Sequence, residues 1–486
     1  MESSSHTIRH VLHYLLVIPG FLGLALLLYF ITQSARGTVG ERPVSKLASE
    51  SWAEAVKRVP ADMPVVWPDD EGELPESLED LNADTRERWG KTNAFIISCS
   101  LLVLLGGVGI GLMTAALTEA EPPGFPLLRF GAAIFLILPA WLFWGFNLAY
   151  PGEHTGIFPK LYFGFPSMGP VDYGMGGMTA WTDCFFIAVY SLLGAGLFLS
   201  FSAARVRATA LMLIAIPFAT ISFPFLISWK WGGGWIDMLN NNYDFAGSAL
   251  LHWHTGAAAL VAGGLLTLFK RKVVLPEPGK VSPLVFPFMV IGGLLYIVGL
   301  IGLNAGSTLD SAPDAVAVVL QVSTAGALVS AILSVVWWFF FRNRGLIEMV
   351  LIGLAGGVVV VSGATDSLTW NGVFILASLA GLAVPGFVVV MDRIGWVDPL
   401  AVGPVHGVAG LIGTIGASCA SFSDGMEVSL VGQMILAAVV PVGAIFLTAA
   451  VILLAGAAGY VFRGAKRSHS GEVSSEGASP PMLPKA

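Results

Sequence analysis

Apolar stretches long enough to cross a bilayer recur with little pause along this chain. They lie near residues 12–32, 93–116, 126–150, 178–203, 208–230, 244–269, 283–305, 315–341, 346–364, 371–391, 399–419 and 430–461. About 20 helical residues span a hydrocarbon core roughly 30 Å thick. With no water there, each segment must close its own backbone hydrogen bonds, which selects helices. Hydrophobic residues make up 55% and charged residues 12% of 486, with a mean hydropathy of +0.77. The expectation is an all-α polytopic membrane protein, one helix followed by an eleven-helix core.

The few charges orient it. Arg205 and Arg207, Lys270 to Lys272, Lys280, Arg342 and Arg344, Arg393, and Arg463 to Arg467 fall in alternate short loops, while the opposite loops hold little beyond Lys160 and Lys230. Cytoplasmic loops collect Lys and Arg, so Met1 and the C-terminus are both expected inside, in a plasma (inner) membrane. The net charge of −7 suggests no nucleic-acid partner. Four domains follow: 1–34, an N-terminal transmembrane anchor or signal peptide, with the retained anchor favoured; 35–91, a polar extracytoplasmic segment; 92–463, the channel-like core; and 464–486, a tail whose Ser, Gly and Pro content reads as disordered.

The core repeats itself. Asp244 stands eight residues before His252, and Asp398 eight residues before His406, each pair opening an apolar segment. An acid at such a position can accept the helix's first, unpaired N–H groups. Eight helical residues at 1.5 Å each carry the imidazole roughly 12 Å inward, near the midplane. One pair enters from outside on the fifth core helix and the other from the cytoplasm on the tenth, so the five-helix repeat is inverted. Such repeats bring equivalent helices together near the midplane, where transporters bind substrate, and two facing imidazoles are expected there.

Either histidine alone reads more often as a buried imidazole held by a backbone carbonyl, and the matched depth of the two weighs against that. A metal site using His252, His254 and His406 is disfavoured, because residues two apart on a helix point about 200° apart. Cys99, Cys184 and Cys419 lie in apolar runs without paired spacing and read as packing residues. Asp183 and Asp366 read as loop acids at helix ends. No nucleophile–base pair, phosphate loop or metal cluster is present, so no enzyme activity, cofactor or metal is expected.

Several motifs, taken in order, resemble the ammonium transporter family (Amt, Mep and Rh). Trp231 to Gly234 match its Trp-Gly-Gly-Gly, Asp244 to Gly247 its Asp-Phe-Ala-Gly, with His252 following. Asn304 to Ser307 match Asn-Ala-Gly-Ser, and Val405 to Gly410 match Val-His-Gly-Val-x-Gly. Asn93-Ala-Phe and Gly145 to Ala149 agree as well, so the likeness runs from about Asn93 to Arg463. It implies a homotrimer with one narrow pore per protomer and ammonium or ammonia as the partner beside the lipid bilayer. It also implies an outer vestibule built by Phe186, Tyr190, Trp231 and Ser307, with Asp244 adding negative potential nearby, and His252 and His406 lining the pore. Ammonium resembles potassium in size and charge, but it can donate directed hydrogen bonds and give up a proton. Cation–π attraction and a hydroxyl at the vestibule, followed by a dry pore that favours neutral ammonia, would separate the two.

The chain departs from the family in places. The stacked phenylalanine pair that guards the pore reads here as Tyr190 above and Leu303 below. Ser362 to Thr365 stand where Thr-Pro is common. The tail lacks the segment that docks under a neighbouring protomer, so binding of a PII signalling protein is not predicted. Two other functions stay open: an ammonium sensor that binds at Trp231 and signals through the N-terminal addition, and a channel for a neutral gas such as carbon dioxide.

Overall fold

The computed structural model describes residues 83–117, 124–151, 157–159, 163–164, 170–172, 177–201, 208–239, 241–268, 286–396, 398–422 and 427–457. The first expected helix, 12–32, most of the polar segment and the tail lie outside these residues, as do the basic loops around Arg205 and Lys270.

The described residues form eleven helical segments in chain order: α1 (Ala83–Leu117), α2 (Gly124–Ala149), α3 (Ala180–Phe201), α4 (208–230), α5 (248–268), α6 (Phe286–Gly306), α7 (Pro313–Phe341), α8 (Leu346–Val361), α9 (Trp370–Ile394), α10 (403–419) and α11 (Leu430–Ala457). Nine described segments are long and apolar enough to cross a membrane, and α8 is a shorter apolar helix. A two-stranded antiparallel ribbon, β1 (Pro170–Asp172) with β2 (Gly177–Thr179), precedes α3. Large apolar side chains such as Phe135, Phe446 and Leu454 point outward and are more than 70% exposed. A water-facing surface would not carry such a belt, and a lipid-facing one requires it.

The inverted repeat is visible in the packing. Equivalent helices meet, α1 against α6 and α5 against α10, while α11 closes the bundle along α5. Both halves also break regular α-helix at matching places. Asp244 is followed after three residues by Gly247 (φ 80°), and Asp398 after three by Ala401 (φ 54°). Each left-handed residue introduces a π-helical turn, Ser248–Trp253 in one half and Gly403–Val408 in the other, and these turns carry His252 and His406.

This corrects the depth argument from sequence. The helices begin at Ser248 and near Gly403 instead of at the acids, so each histidine lies about one turn inside its helix. The histidines are enclosed all the same, because the acids and their turns are themselves buried, Asp244 at 3% and Asp398 at 1% exposure.

Candidate functional site

Two acids hold the starts of the histidine helices. The Asp244 carboxylate accepts the N–H groups of Ala249 (3.2 Å) and Leu250 (2.9 Å). Asp398 accepts those of Val402 (2.8 Å) and Gly403 (2.6 Å). Each satisfies N–H groups that a helix start leaves unpaired. Arg344, buried on the turn between α7 and α8, donates to the carbonyls of Asp398 and Pro399 and to the Asp392 carboxylate. It thereby ties the start of α10 to the end of α9. Burial pushes the Asp398 carboxyl up to about 6, against the pull of its N–H donors and of Arg344.

The helix starts bring the imidazoles face to face. His252 Nδ1 and His406 Nδ1 are 3.0 Å apart, and their ring centroids 4.9 Å. Both residues are fully buried. Glycine permits the approach: a Cβ on Gly256 would lie 1.9 Å from the Gly407 nitrogen, and one on Gly410 2.7 Å from the Trp253 nitrogen. Four residues past each histidine, a bare backbone thus meets the amide that follows the other. His254 turns away, its Nδ1 2.9 Å from the Val440 carbonyl and its Nε2 3.2 Å from Ser222 Oγ, so it does not join the pair.

Toward the end of the bundle where α5 starts, the expected vestibule residues are adjacent. Tyr190 Oη lies 3.1 Å from Ser307 Oγ. The Tyr190 ring stands edge-on to Phe186 (5.4 Å) and to Trp231 (6.2 Å). Trp231 donates its indole N–H to the Asp244 carbonyl at 3.0 Å, which links the tryptophan to the start of α5. Ser307 Oγ also donates to the Leu303 carbonyl at 2.9 Å. With its hydrogen engaged there, Ser307 receives the Tyr190 hydroxyl hydrogen. Leu303 is fully buried one turn inward from Ser307. The eight residues singled out from the sequence thus fall into two groups: Phe186, Tyr190, Trp231, Leu303 and Ser307, with Asp244 joined through Trp231, and the His252–His406 pair, whose first member stands on the helix that Asp244 caps.

Sequence reasoning overlooked three features. Tyr190 reads in sequence as a stand-in for phenylalanine, yet its hydroxyl pairs with Ser307. Tyr296, a lone phenol in the apolar α6, is hydrogen-bonded to His406 Nε2, and its isolation among aliphatic residues was the available signal. Asp366 lies on the turn between α8 and α9, as a loop acid would, but it is a buried acceptor: Tyr243 donates its hydroxyl to it at 2.7 Å and Ser367 at 3.0 Å, and burial raises its carboxyl to about 6. Asp183 is likewise buried, in the first turn of α3.

Residues 94–464 match the model of the Ammonium Transporter Family. The chain belongs to that family. It is 28% identical over 322 residues to Ammonium transporter Amt1 of Methanocaldococcus jannaschii, covering 65% of this chain and 76% of that one. It is 26% identical over 366 residues to a putative ammonium transporter of Synechocystis, covering 72% and 79%. In fold it resembles Mep2 of Candida albicans (TM-score 0.68, 20% identity, 81% of this chain and 91% of that one). It also resembles a Sensor Amt Protein (TM-score 0.65, 16% identity, 78% and 96%). This member of the ammonium transporter family is an integral, multi-pass membrane protein.

Proposed function

We propose that the protein moves ammonium or ammonia across a plasma (inner) membrane, as a homotrimer with a pore in each protomer and with its C-terminus in the cytoplasm. The observation that carries this reading is the imidazole pair, joined at 3.0 Å in an apolar interior beside a patch of rings and hydroxyls. Dehydrating a cation is costly, and the patch offers compensation: the Tyr190 and Trp231 faces attract positive charge. Tyr190 Oη, which donates to Ser307, keeps lone pairs for an ammonium N–H. Potassium has no hydrogen to place on that oxygen.

Inward of the patch, Leu303 excludes water without presenting an aromatic face, so the barrier to the bare cation is desolvation alone. Ammonium reaches that point and gives up its proton, to outer water if the passage is neutral or to a relay along His252 and His406 if charge crosses, and continues as ammonia past the pair. Asp244 acts without contact by holding the start of α5 and lending it negative charge. On this reading the polar segment 35–91 is extracytoplasmic and 92–463 is the transport domain, although α1 already begins at Ala83.

The test is a charge measurement on purified protein in liposomes adsorbed to a supported membrane, with ammonium jumps, potassium as control, and His252→Ala alongside. An ammonium-specific current that His252→Ala abolishes or converts supports the proposal. Absence of both current and ammonia flux, with ammonium still binding, would make the protein a sensor.

A further inference from the structure

Tyr296 has no part in the pathway above, yet it is bonded to the centre of it. It stands on α6 seven residues before Leu303, 6% exposed. Its hydroxyl meets His406 Nε2, His406 Nδ1 meets His252 Nδ1 at 3.0 Å, and His252 Nε2 is buried with no protein partner among the described residues. Three side chains from α6, α10 and α5 thus make one chain of polar atoms with a free end at His252. At its other end Tyr296 lines a cleft with Glu348, Met113, Leu351, Leu400 and Val405, toward the Arg344 end of the bundle.

A neutral imidazole holds one N–H and one lone pair, so the links of such a chain must all point the same way. If Tyr296 donates to His406 Nε2, then His406 carries its hydrogen on Nδ1 and donates to His252 Nδ1, and the hydrogen of His252 is forced onto Nε2. If Tyr296 accepts, every link reverses and His252 Nε2 is a bare lone pair. A phenol is a better donor than a neutral imidazole N–H, and an imidazole nitrogen a better acceptor than a phenol oxygen. The first order is therefore preferred.

We infer that Tyr296 is a positioning and specificity-determining residue: through His406 it makes His252 present an N–H at the free end of the chain. Ammonia, with its lone pair, can accept that hydrogen. Ammonium, which has only donors, cannot, so the ordered chain discriminates for the neutral species at this depth. The inference rests on the transport reading above, and its test separates the two.

Protein with ¹⁵N-labelled histidine in lipid is examined by solid-state NMR, with His252→Asn and His406→Asn used for assignment. The expected spectrum has His252 protonated at Nε2 and His406 at Nδ1. Protonation of His252 at Nδ1 would overturn the inference without any variant at Tyr296. In Tyr296→Phe, which keeps the ring, the His252 signals should split between tautomers although phenylalanine replaces no atom bonded to His252. The maximal ammonium-evoked rate should fall about tenfold, with the half-saturating concentration unchanged because the Tyr190 patch is intact. Unchanged His252 signals, or an altered half-saturation with an unaltered maximal rate, would refute it. Wild-type protein lacking transport would defeat the proposed function, while the NMR result would still decide the order of the chain.

Discussion

Gly256→Ala adds one methyl where the two halves of the molecule touch, and its effect can be worked from the geometry. The new Cβ would lie 1.9 Å from the Gly407 nitrogen, 2.3 Å from its Cα and 2.4 Å from the His406 carbonyl carbon. Ordinary contact begins near 3.4 Å, so the α10 backbone must retreat by about 1.5 Å. All three obstacles are main chain on a buried π turn, and no rotamer change can relieve them. Overpacking a core costs about 1–3 kcal/mol where side chains can adjust; with backbone on both sides the expectation is at the top of that range or above. The same retreat carries His406 away from His252. Their nitrogen separation, 3.0 Å in the wild-type protein, then passes the roughly 3.2 Å limit of a sound hydrogen bond. Thermal unfolding in detergent, read beside ammonium-evoked current in liposomes, measures both consequences. Gly131→Ala is the control, because a Cβ there meets nothing within 4 Å and alanine favours helix. A Gly256→Ala protein that unfolds at the wild-type temperature with wild-type current would refute the argument that this contact sets the histidine geometry.

Other residues give further tests. Ala401 holds a left-handed backbone (φ 54°) where the matching position of the first half is Gly247; Ala401→Gly should raise stability by about 1 kcal/mol, seen as a higher unfolding temperature, and a lower one would mean that its methyl contributes packing. Arg344→Ala removes a 5%-exposed cation that pairs with Asp392 and Glu348 and holds the Asp398 carbonyl, leaving two largely buried carboxylates without their counter-charge at a cost of about 3–5 kcal/mol; wild-type thermal stability in this variant would contradict that role. Asp366, at about 6 in the fold against 3.8 as a free side chain, binds its proton more tightly when folded. Its contribution is thus fully present below pH about 4 and lost as pH rises through 6, so the slope of unfolding temperature against pH across this window should flatten in Asp366→Asn; an identical slope would remove Asp366 as its source.

The membrane-spanning pattern was legible in the sequence because a bilayer leaves a chain few options: runs of about 20 apolar residues must become helices, and the described helices α1 to α11 fall on the predicted runs to within a few residues at most ends. The Asp-to-His spacing, repeated at 244/252 and 398/406, likewise announced an inverted pair, since a duplicated sequence at opposite orientation admits a two-fold arrangement. The break at Gly247 and Ala401 was not legible. Hydrophobic periodicity reports which face is apolar and is blind to whether hydrogen bonds close over four residues or five, so the π turns and the burial of both acids emerged only in three dimensions.

The pairings that give the interior its chemistry belong to the tertiary structure alone. Tyr190 meets Ser307 across 117 residues, Tyr296 meets His406 across 110, and Tyr243 meets Asp366 across 123. A tyrosine in an apolar run can serve as packing or as a donor, and local sequence cannot choose between the two. The choice is made by which polar atom the fold places at the end of its ring, because in an interior without water a hydroxyl must find its partner in another helix.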